Sequence, residues 1–248
     1  GHVKAADGVL GAGVYPDPDL DGLLRTIIET ATRHGLDLDF HADETADPSS
    51  DCLRHIAEAV LRSDHEGHVL VGHCCSLALQ DAATADETLD KVAEASLSVV
   101  ALPACNLYLQ DRRTDATTPR WRGVTLLHEM HDRGIQVSLA SDNIRDAFHA
   151  YGDLDMLDAF RLGTRVGHLD HPANDWIVTA TANPARAMRM DDAGVLHAGS
   201  GADFILFEGR SWSEILSRSE SGRIVVRDGT PIAAPLPSYS ELDGLADA

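Results

Sequence analysis

Four apolar segments of the sequence each end in side chains that can move protons or bind a metal ion. These side chains are His41, Asp43 and Glu44 after the first segment, His73 after the second, Cys105 and Asn106 after the third, and Ser141, Asp142 and Asn143 after the fourth. Imidazole and carboxylate groups are the usual protein ligands of zinc and iron. A metal ion held in this way lowers the pKa of its bound water, and an adjacent carboxylate can then carry protons. The pattern is therefore typical of a metal-dependent hydrolase.

Each of these residues also has a structural interpretation when it is considered alone. A histidine at the end of a strand commonly packs and hydrogen-bonds, an acidic pair commonly caps a helix, and an Asp-Asn pair commonly forms a turn. Two histidines, an aspartate and an additional glutamate at the ends of separate strands favour a site over these alternatives. The cysteines that follow His73, Cys74 and Cys75, lie in an acidic and apolar context, which indicates buried structural thiols rather than a nucleophile.

The elements that must position these residues alternate between strand and helix. Apolar patterns predict strands over 36–41, 68–73, 97–103 and 135–143, and helices over 20–31, 53–61, 84–95, 122–133, 152–162 and 172–188. Ser49 or Ser50 is predicted to cap the second helix. Because more than ten residues separate successive strands, the strands need crossover connections and form a parallel sheet. Such sheets and barrels bind ligands at the carboxyl ends of their strands, where the polar residues stand.

The composition limits the domains and the partners of the chain. Residues 1–194 are predicted to form the α/β portion, and 195–248 a small β domain with a loosely held C-terminal tail. A formal net charge of −20 argues against nucleic acid and anionic membranes as partners. No apolar run is long enough for a membrane helix, no signal peptide is recognised, and the four cysteines form no disulfide-like framework. We therefore expect a cytoplasmic protein.

Several ordered motifs resemble the amidohydrolase superfamily, and more narrowly its cytosine deaminase branch. They are "FHADET", "VGHCCS", "LPACNLYLQDRRTDATTPRWRG", "LASDNIRDAF" and "TATANPARAMRM". The resemblance extends from about residue 8 to residue 230. It implies a TIM-barrel-like (β/α)8 fold, of which this chain carries the C-terminal five or so βα units and part of a small β-sandwich domain. The implied reaction is hydrolytic deamination of a cytosine-like pyrimidine or a related ring amine by metal-activated hydroxide.

The resemblance also implies a role for each motif residue. His41 and Asp142 match ligands of one divalent metal ion, zinc or iron. Glu44 matches the residue that shuttles protons, and His73 matches the residue that polarises the hydroxide; together with Asp142 they are the predicted catalytic residues. The predicted substrate contacts are Phe148, Asn143 and Asn106.

Two features leave alternative functions open. The family takes two further metal ligands from a His-x-His motif on its first barrel strand, and this sequence, which starts near the fourth strand, contains no His-x-His. We expect a complementing N-terminal segment or a homo-oligomer, or else a non-catalytic partial barrel that serves as a structural or binding subunit. Asn143 stands where cytosine deaminases carry a second aspartate, so "SDNIRD" is closer to relatives that remove alkylamino groups from triazine rings.

Overall fold

The computed structural model describes residues 1–170, 173–190, 192–218, 222–232 and 238–244. The chain divides into two units, Gly1–Gly194 and Val195–Ala248. The strands of the first unit are β1 (Leu10–Val14), β2 (Leu38–Ala42), β3 (Val69–His73), β4 (Ser98–Ala101) and β5 (Gln136–Leu139). Its helices are α1 (His2–Ala5), α2 (Leu20–His34), α3 (Cys52–Leu61), α4 (Ala82–Glu94), α5 (Pro103–Leu109), α6 (Leu127–Asp132), α7 (Met156–Gly167), α8 (Ala173–Trp176) and α9 (Ala182–Ala187).

The five strands of the first unit form one parallel sheet in the order β1-β2-β3-β4-β5. Sequential order with a crossover after each strand is the arrangement found in the wall of an α/β barrel. Phe40, Val71, Val99 and Val137 lie in register across β2 to β5, and all four are buried. The predicted parallel α/β sheet is therefore confirmed, and its central layer is a continuous apolar row.

The helices α2 and α3 follow from local sequence signals, with one exception at the start of α3. The buried residues of α2 include Leu24 and Ile28, and the helix ends at Gly35, whose left-handed backbone is a common helix stop. The N-terminal cap position of α3 is Asp51, whose side chain accepts no cap hydrogen bond from a backbone amide of the helix. The prediction that Ser49 or Ser50 caps this helix is wrong, because a carboxylate from the preceding strand end occupies the first amides.

Other helices differ from their predicted spans. The helix predicted over 172–188 is divided into α8, a 3-10 turn over Ile177–Ala180, and α9; residue 172 lies outside the described residues. Pro184 explains the division, because proline has no N–H to donate and is tolerated only in a first helical turn. The structure also contains α5 and β1, neither of which was predicted.

The second unit contains a three-stranded antiparallel sheet in the order β6-β7-β8. Its elements are β6 (Phe204–Phe207), α10 (Trp212–Ser217), β7 (Arg223–Arg227) and β8 (Thr230–Pro231), followed by a 3-10 turn over Tyr239–Leu242. Residues 233–237 and 245–248, which fall in the predicted tail, lie outside the described residues. None of the helices in the described part of the chain combines the length and apolar character needed to cross a membrane.

Candidate active site

The carboxyl ends of the parallel strands carry an unusual backbone conformation. Asp43 after β2, His73 and Cys74 at the end of β3, and Asp142 after β5 all have positive φ angles, of 57°, 72°, 52° and 63°. This left-handed region is costly for residues other than glycine, so the surrounding structure must hold it in place. Such strain is common at active sites, and two of these four residues, His73 and Asp142, are predicted site residues.

Four predicted residues form one hydrogen-bonded group at this edge of the sheet. His73 Nε2 lies 3.2 Å from His41 Nδ1, and His73 Nδ1 lies 3.0 Å from Asn106 Nδ2. The same amide nitrogen of Asn106 donates to Glu44 Oε1 at 3.2 Å, and Glu44 Oε1 lies 3.5 Å from His73 Nδ1. The structure therefore brings together residues from β2, β3 and α5.

Burial shifts the pKa values of the two groups that could exchange protons. Removal from water lowers the pKa of His73 to about 4, with the nearby His41 lowering it further and Asp142 acting in the opposite direction. Loss of solvent and the charge of Asp142 raise the pKa of Glu44 above its ordinary value. His73 is only 2% exposed, whereas the Glu44 side chain keeps 34% of its surface exposed. Burial thus favours the uncharged form of the His73 imidazole at neutral pH, while the Glu44 carboxylate stays partly open to solvent.

A second group of atoms offers ligands for a cation. Glu44, Cys105 and Asp142 each present one ligand atom, and these atoms lie within 4.8 Å of one another. The Oδ2 atom of Asp142 is buried and has no hydrogen-bond partner within the described part of the chain. A buried carboxylate oxygen without a donor is costly unless a cation satisfies it, so the residues fit the divalent metal ion that the motifs predict. His41, the other predicted ligand, is not part of this group of three.

The remaining predicted substrate contacts lie on the loop after β5. Asn143 Nδ2 donates to Asp146 Oδ2 at 2.7 Å, and Asn143 Oδ1 accepts from the thiol of Cys105 at 3.4 Å. The ring of Phe148 is 61% exposed, and its backbone N–H donates to Asp146 Oδ1. Cys105 thus connects Asn143 to the group of three possible cation ligands, and Phe148 belongs neither to that group nor to the hydrogen-bonded group around His73.

Two residues support the site through contacts that the sequence did not predict. Gln110 donates from Nε2 to the backbone oxygen of Glu44 at 3.3 Å. It follows Asn106 by four residues, and that spacing on a helix would have placed both side chains on one face. Asp43 has no comparable local signal, because its carboxylate accepts from Cys52 N and Leu53 N, nine and ten residues later in the chain.

Comparison with known proteins decides the family. A model of the amidohydrolase family matches residues 5–233, which is most of the chain. The chain belongs to the amidohydrolase family. The family resemblance carried by the sequence motifs is therefore confirmed.

The chain is similar to several named amidohydrolases. It is 49% identical to a "Pterin deaminase" of Rhizobium rhizogenes strain K84 over 99% of this chain and 56% of that protein. It is 22% identical to an "N-isopropylammelide isopropyl amidohydrolase" of Pseudomonas sp. strain ADP over 90% of this chain and 55% of that protein. The chain thus spans little more than half of the length of these relatives.

Solved structures confirm the fold class. A 5-methylcytosine deaminase from Klebsiella pneumoniae has a TM-score of 0.80 at 24% identity, covering 93% of this chain and 57% of that one. An N-isopropylammelide isopropylaminohydrolase from Burkholderia multivorans has a TM-score of 0.71 at 23% identity, covering 92% of this chain and 56% of that one. At these identities the likeness extends to the fold alone, and it agrees with a portion of a TIM-barrel-like hydrolase.

Proposed function

We propose that this amidohydrolase removes an exocyclic amine from a nitrogen heterocycle by hydrolysis, and that its substrate is a pterin-like two-ring system. It would thus act on a carbon–nitrogen bond that is not a peptide bond. The observation that carries the reaction type is the joint arrangement of Glu44, His73 and Asp142 at one edge of the sheet. The 49% identity to a protein named a pterin deaminase favours the two-ring substrate over the cytosine-like pyrimidine that the motifs predicted.

Glu44 is the residue proposed to move protons. Its carboxylate has a raised pKa and keeps part of its surface open, so it can carry one proton from water to a ring nitrogen and afterwards a second proton, from the added hydroxyl, to the leaving amine. General acid–base catalysis is most effective when the pKa of the group approaches the working pH. Desolvation and the charge of Asp142 move the pKa of Glu44 in that direction.

The remaining groups stabilise charge and hold the cation. His73 is kept neutral by burial, and the one N–H of its neutral ring can be donated to developing negative charge. Asp142 and His41 would hold one divalent metal ion, zinc or iron, and Oδ2 of Asp142, which has no hydrogen-bond partner among the described residues, is the atom that most requires it. When bound, this ion would make water acidic enough to serve as a nucleophile at neutral pH.

The first prediction concerns Glu44. We expect Glu44→Gln to abolish release of ammonia from pterin, because an amide cannot carry a proton, while the metal content per chain stays unchanged. Ammonia release and metal analysis by mass spectrometry measure the two quantities on the same preparation. The control is Glu66→Gln, which changes an exposed glutamate on the loop before β3 and should keep full activity.

The wild-type protein also decides between substrate classes. Pterin, cytosine and N-isopropylammelide are compared at equal concentration, and the proposal expects the highest kcat/KM for pterin. A preference for N-isopropylammelide would favour the second candidate, a triazine N-alkyl amidohydrolase, which Asn143 after Asp142 supports. A protein without metal and without turnover of any of the three would contradict both candidate functions and favour a non-catalytic structural or binding subunit.

For the Glu44 variant, unchanged turnover in Glu44→Gln would contradict the assignment of Glu44 as the proton carrier.

A further inference from the structure

Asn106 occupies a central position in the hydrogen-bonded group. It lies on α5 and is only 2% exposed. Its amide nitrogen Nδ2 is 3.2 Å from Glu44 Oε1 and 3.0 Å from His73 Nδ1. One side chain on one helix therefore contacts both of the residues to which the proposed reaction assigns proton transfer and charge stabilisation.

The chemistry of these contacts fixes the orientation of the amide. An ionised carboxylate has no hydrogen to donate, so the group that faces Glu44 must be the NH₂ of Asn106 and not its carbonyl oxygen. The same NH₂ then directs its second hydrogen to His73 Nδ1, which must accept it and cannot carry a proton itself. The single proton of the neutral imidazole is therefore on Nε2, the atom that lies 3.2 Å from His41 Nδ1.

We propose that Asn106 is a positioning residue that sets the tautomer of His73 and the orientation of the Glu44 carboxylate. This assignment rests on the proposed function and differs from the substrate contact that the motifs predict for Asn106. A side chain that is 2% exposed and shares both amide hydrogens with protein atoms has little surface left for a ligand. Asn106 acts through Glu44 and His73, which face the reacting atoms.

The surroundings of Asn106 support this role, because the C-terminal end of α5 is closely packed. Gln110, the residue directly after α5, donates to the backbone oxygen of Glu44, so neighbouring residues hold both the main chain and the side chain of Glu44. Gly123 packs against the same end: a Cβ atom there would stand 2.8 Å from the backbone oxygen of Asn106 and 2.6 Å from Cβ of Gln110. The amide of Asn106 is thus carried on a closely packed support.

The second prediction tests the tautomer directly. Long-range ¹H–¹⁵N NMR on metal-free protein labelled with ¹⁵N-histidine reports which ring nitrogen is protonated, and the His73 signals are identified by their loss in His73→Gln. We expect wild-type His73 to be the Nε2–H form, and Asn106→Ala to give a mixture of both tautomers. Asn106→Ser, which also lacks the amide but keeps a small polar group, is the second variant should the alanine protein not fold. The matched control is Asn183→Ala, whose amide donates to the backbone oxygen of Val137 instead and which should leave His73 unchanged.

Kinetics separate positioning from substrate contact. Loss of a residue that orients a catalytic group costs about 10- to 100-fold in activity, so we expect kcat for pterin to fall by that factor with little change in KM. A raised KM with unchanged kcat and an unchanged His73 tautomer would overturn the proposal in favour of a substrate contact. The NMR measurement needs no substrate, so its result does not depend on activity. Wild-type protein that is inactive on every ring amine would contradict the proposed function, and the tautomer result would remain valid. An Nδ1–H tautomer in the wild-type protein would overturn the inference itself.

Discussion

At the scale of single residues, Asp43 shows how a charge can be buried between two functional groups. It stands between His41 and Glu44, is 4% exposed, and has a left-handed backbone with φ of 57°. Its Oδ1 accepts from Ser50 Oγ and Cys52 N, and its Oδ2 accepts from Leu53 N. Three donors, two of them amides at the positive end of α3, compensate the loss of water. Asp43 thereby anchors the turn that carries Glu44.

The third prediction follows from these bonds. Asp43→Asn replaces one acceptor oxygen by an NH₂ that faces an existing donor, so we expect a loss of about 1–3 kcal/mol in the free energy of unfolding. Urea unfolding measures it. The matched control is Asp47→Asn in the same loop, where the exposed carboxylate bonds only Ser49 and a change within about 0.5 kcal/mol is expected. Equal unfolding midpoints for the two variants would show that Asp43 is not an anchor.

At the scale of elements, the short helix α5 is positioned by the irregular segment that follows it. Gly123 has a positive φ of 69° and approaches Asn106 and Gln110 so closely that no side chain fits there. A seven-residue helix is too short to be stable by itself, so its position depends on such tertiary contacts. The packing of Gly123 therefore affects the orientation of the Asn106 amide.

The fourth prediction uses a matched pair of glycines. Gly134 has nearly the same backbone as Gly123, with φ of 71°, but a Cβ atom there would meet nothing within 4 Å. We expect Gly134→Ala to cost only the backbone strain, about 1 kcal/mol, and Gly123→Ala to cost clearly more because it also displaces α5. Urea unfolding gives the two costs, and pterin turnover should fall in Gly123→Ala alone. Identical costs and full activity in both variants would contradict the close packing.

At the scale of the whole molecule, the acidity of the chain opposes its own folding. The sequence has 40 aspartates and glutamates against 20 lysines and arginines, which gives the formal net charge of −20 at pH 7. Like charges repel more strongly in the compact state than in the unfolded chain. Salt weakens this repulsion, because the screening length falls from about 10 Å at 0.1 M to about 3 Å at 1 M ionic strength.

The fifth prediction is a dependence of stability on salt. We expect the thermal unfolding midpoint to rise by several degrees as NaCl increases from about 0.02 M to about 0.5 M, since added ions screen the repulsion between acidic side chains. Differential scanning calorimetry measures it, and an equal osmolality of sucrose separates screening from solvent exclusion. A midpoint that does not change with NaCl would mean that the acidic groups are already balanced locally in the folded protein.

The sequence by itself determined the class of the fold and the identity of the family. Strand-like and helix-like segments alternate, and the connections between strands are too long for hairpins. Connections of this length are crossovers, which join parallel strands. The predicted end of an element is correct where a local signal marks it, as at Gly35, which ends α2. The single helix predicted over 172–188 is wrong, because Pro184 and a 3-10 turn break it although the apolar periodicity continues.

The tertiary structure alone decided how the site residues meet. His41, Glu44, His73 and Asp142 were identified from their order in the motifs, and their catalytic and metal-binding roles stay predictions. Their mutual contacts depend on strand register and on the packing of α5, which no local pattern encodes. Asn106 and Glu44 are 62 residues apart in the chain, and Asn106 and His73 are 33 apart. Hydrogen bonds between residues so far apart in the sequence form only after the sheet has aligned its strand ends. The connection of Glu44 to His73 through the Asn106 amide was therefore visible only in the folded molecule.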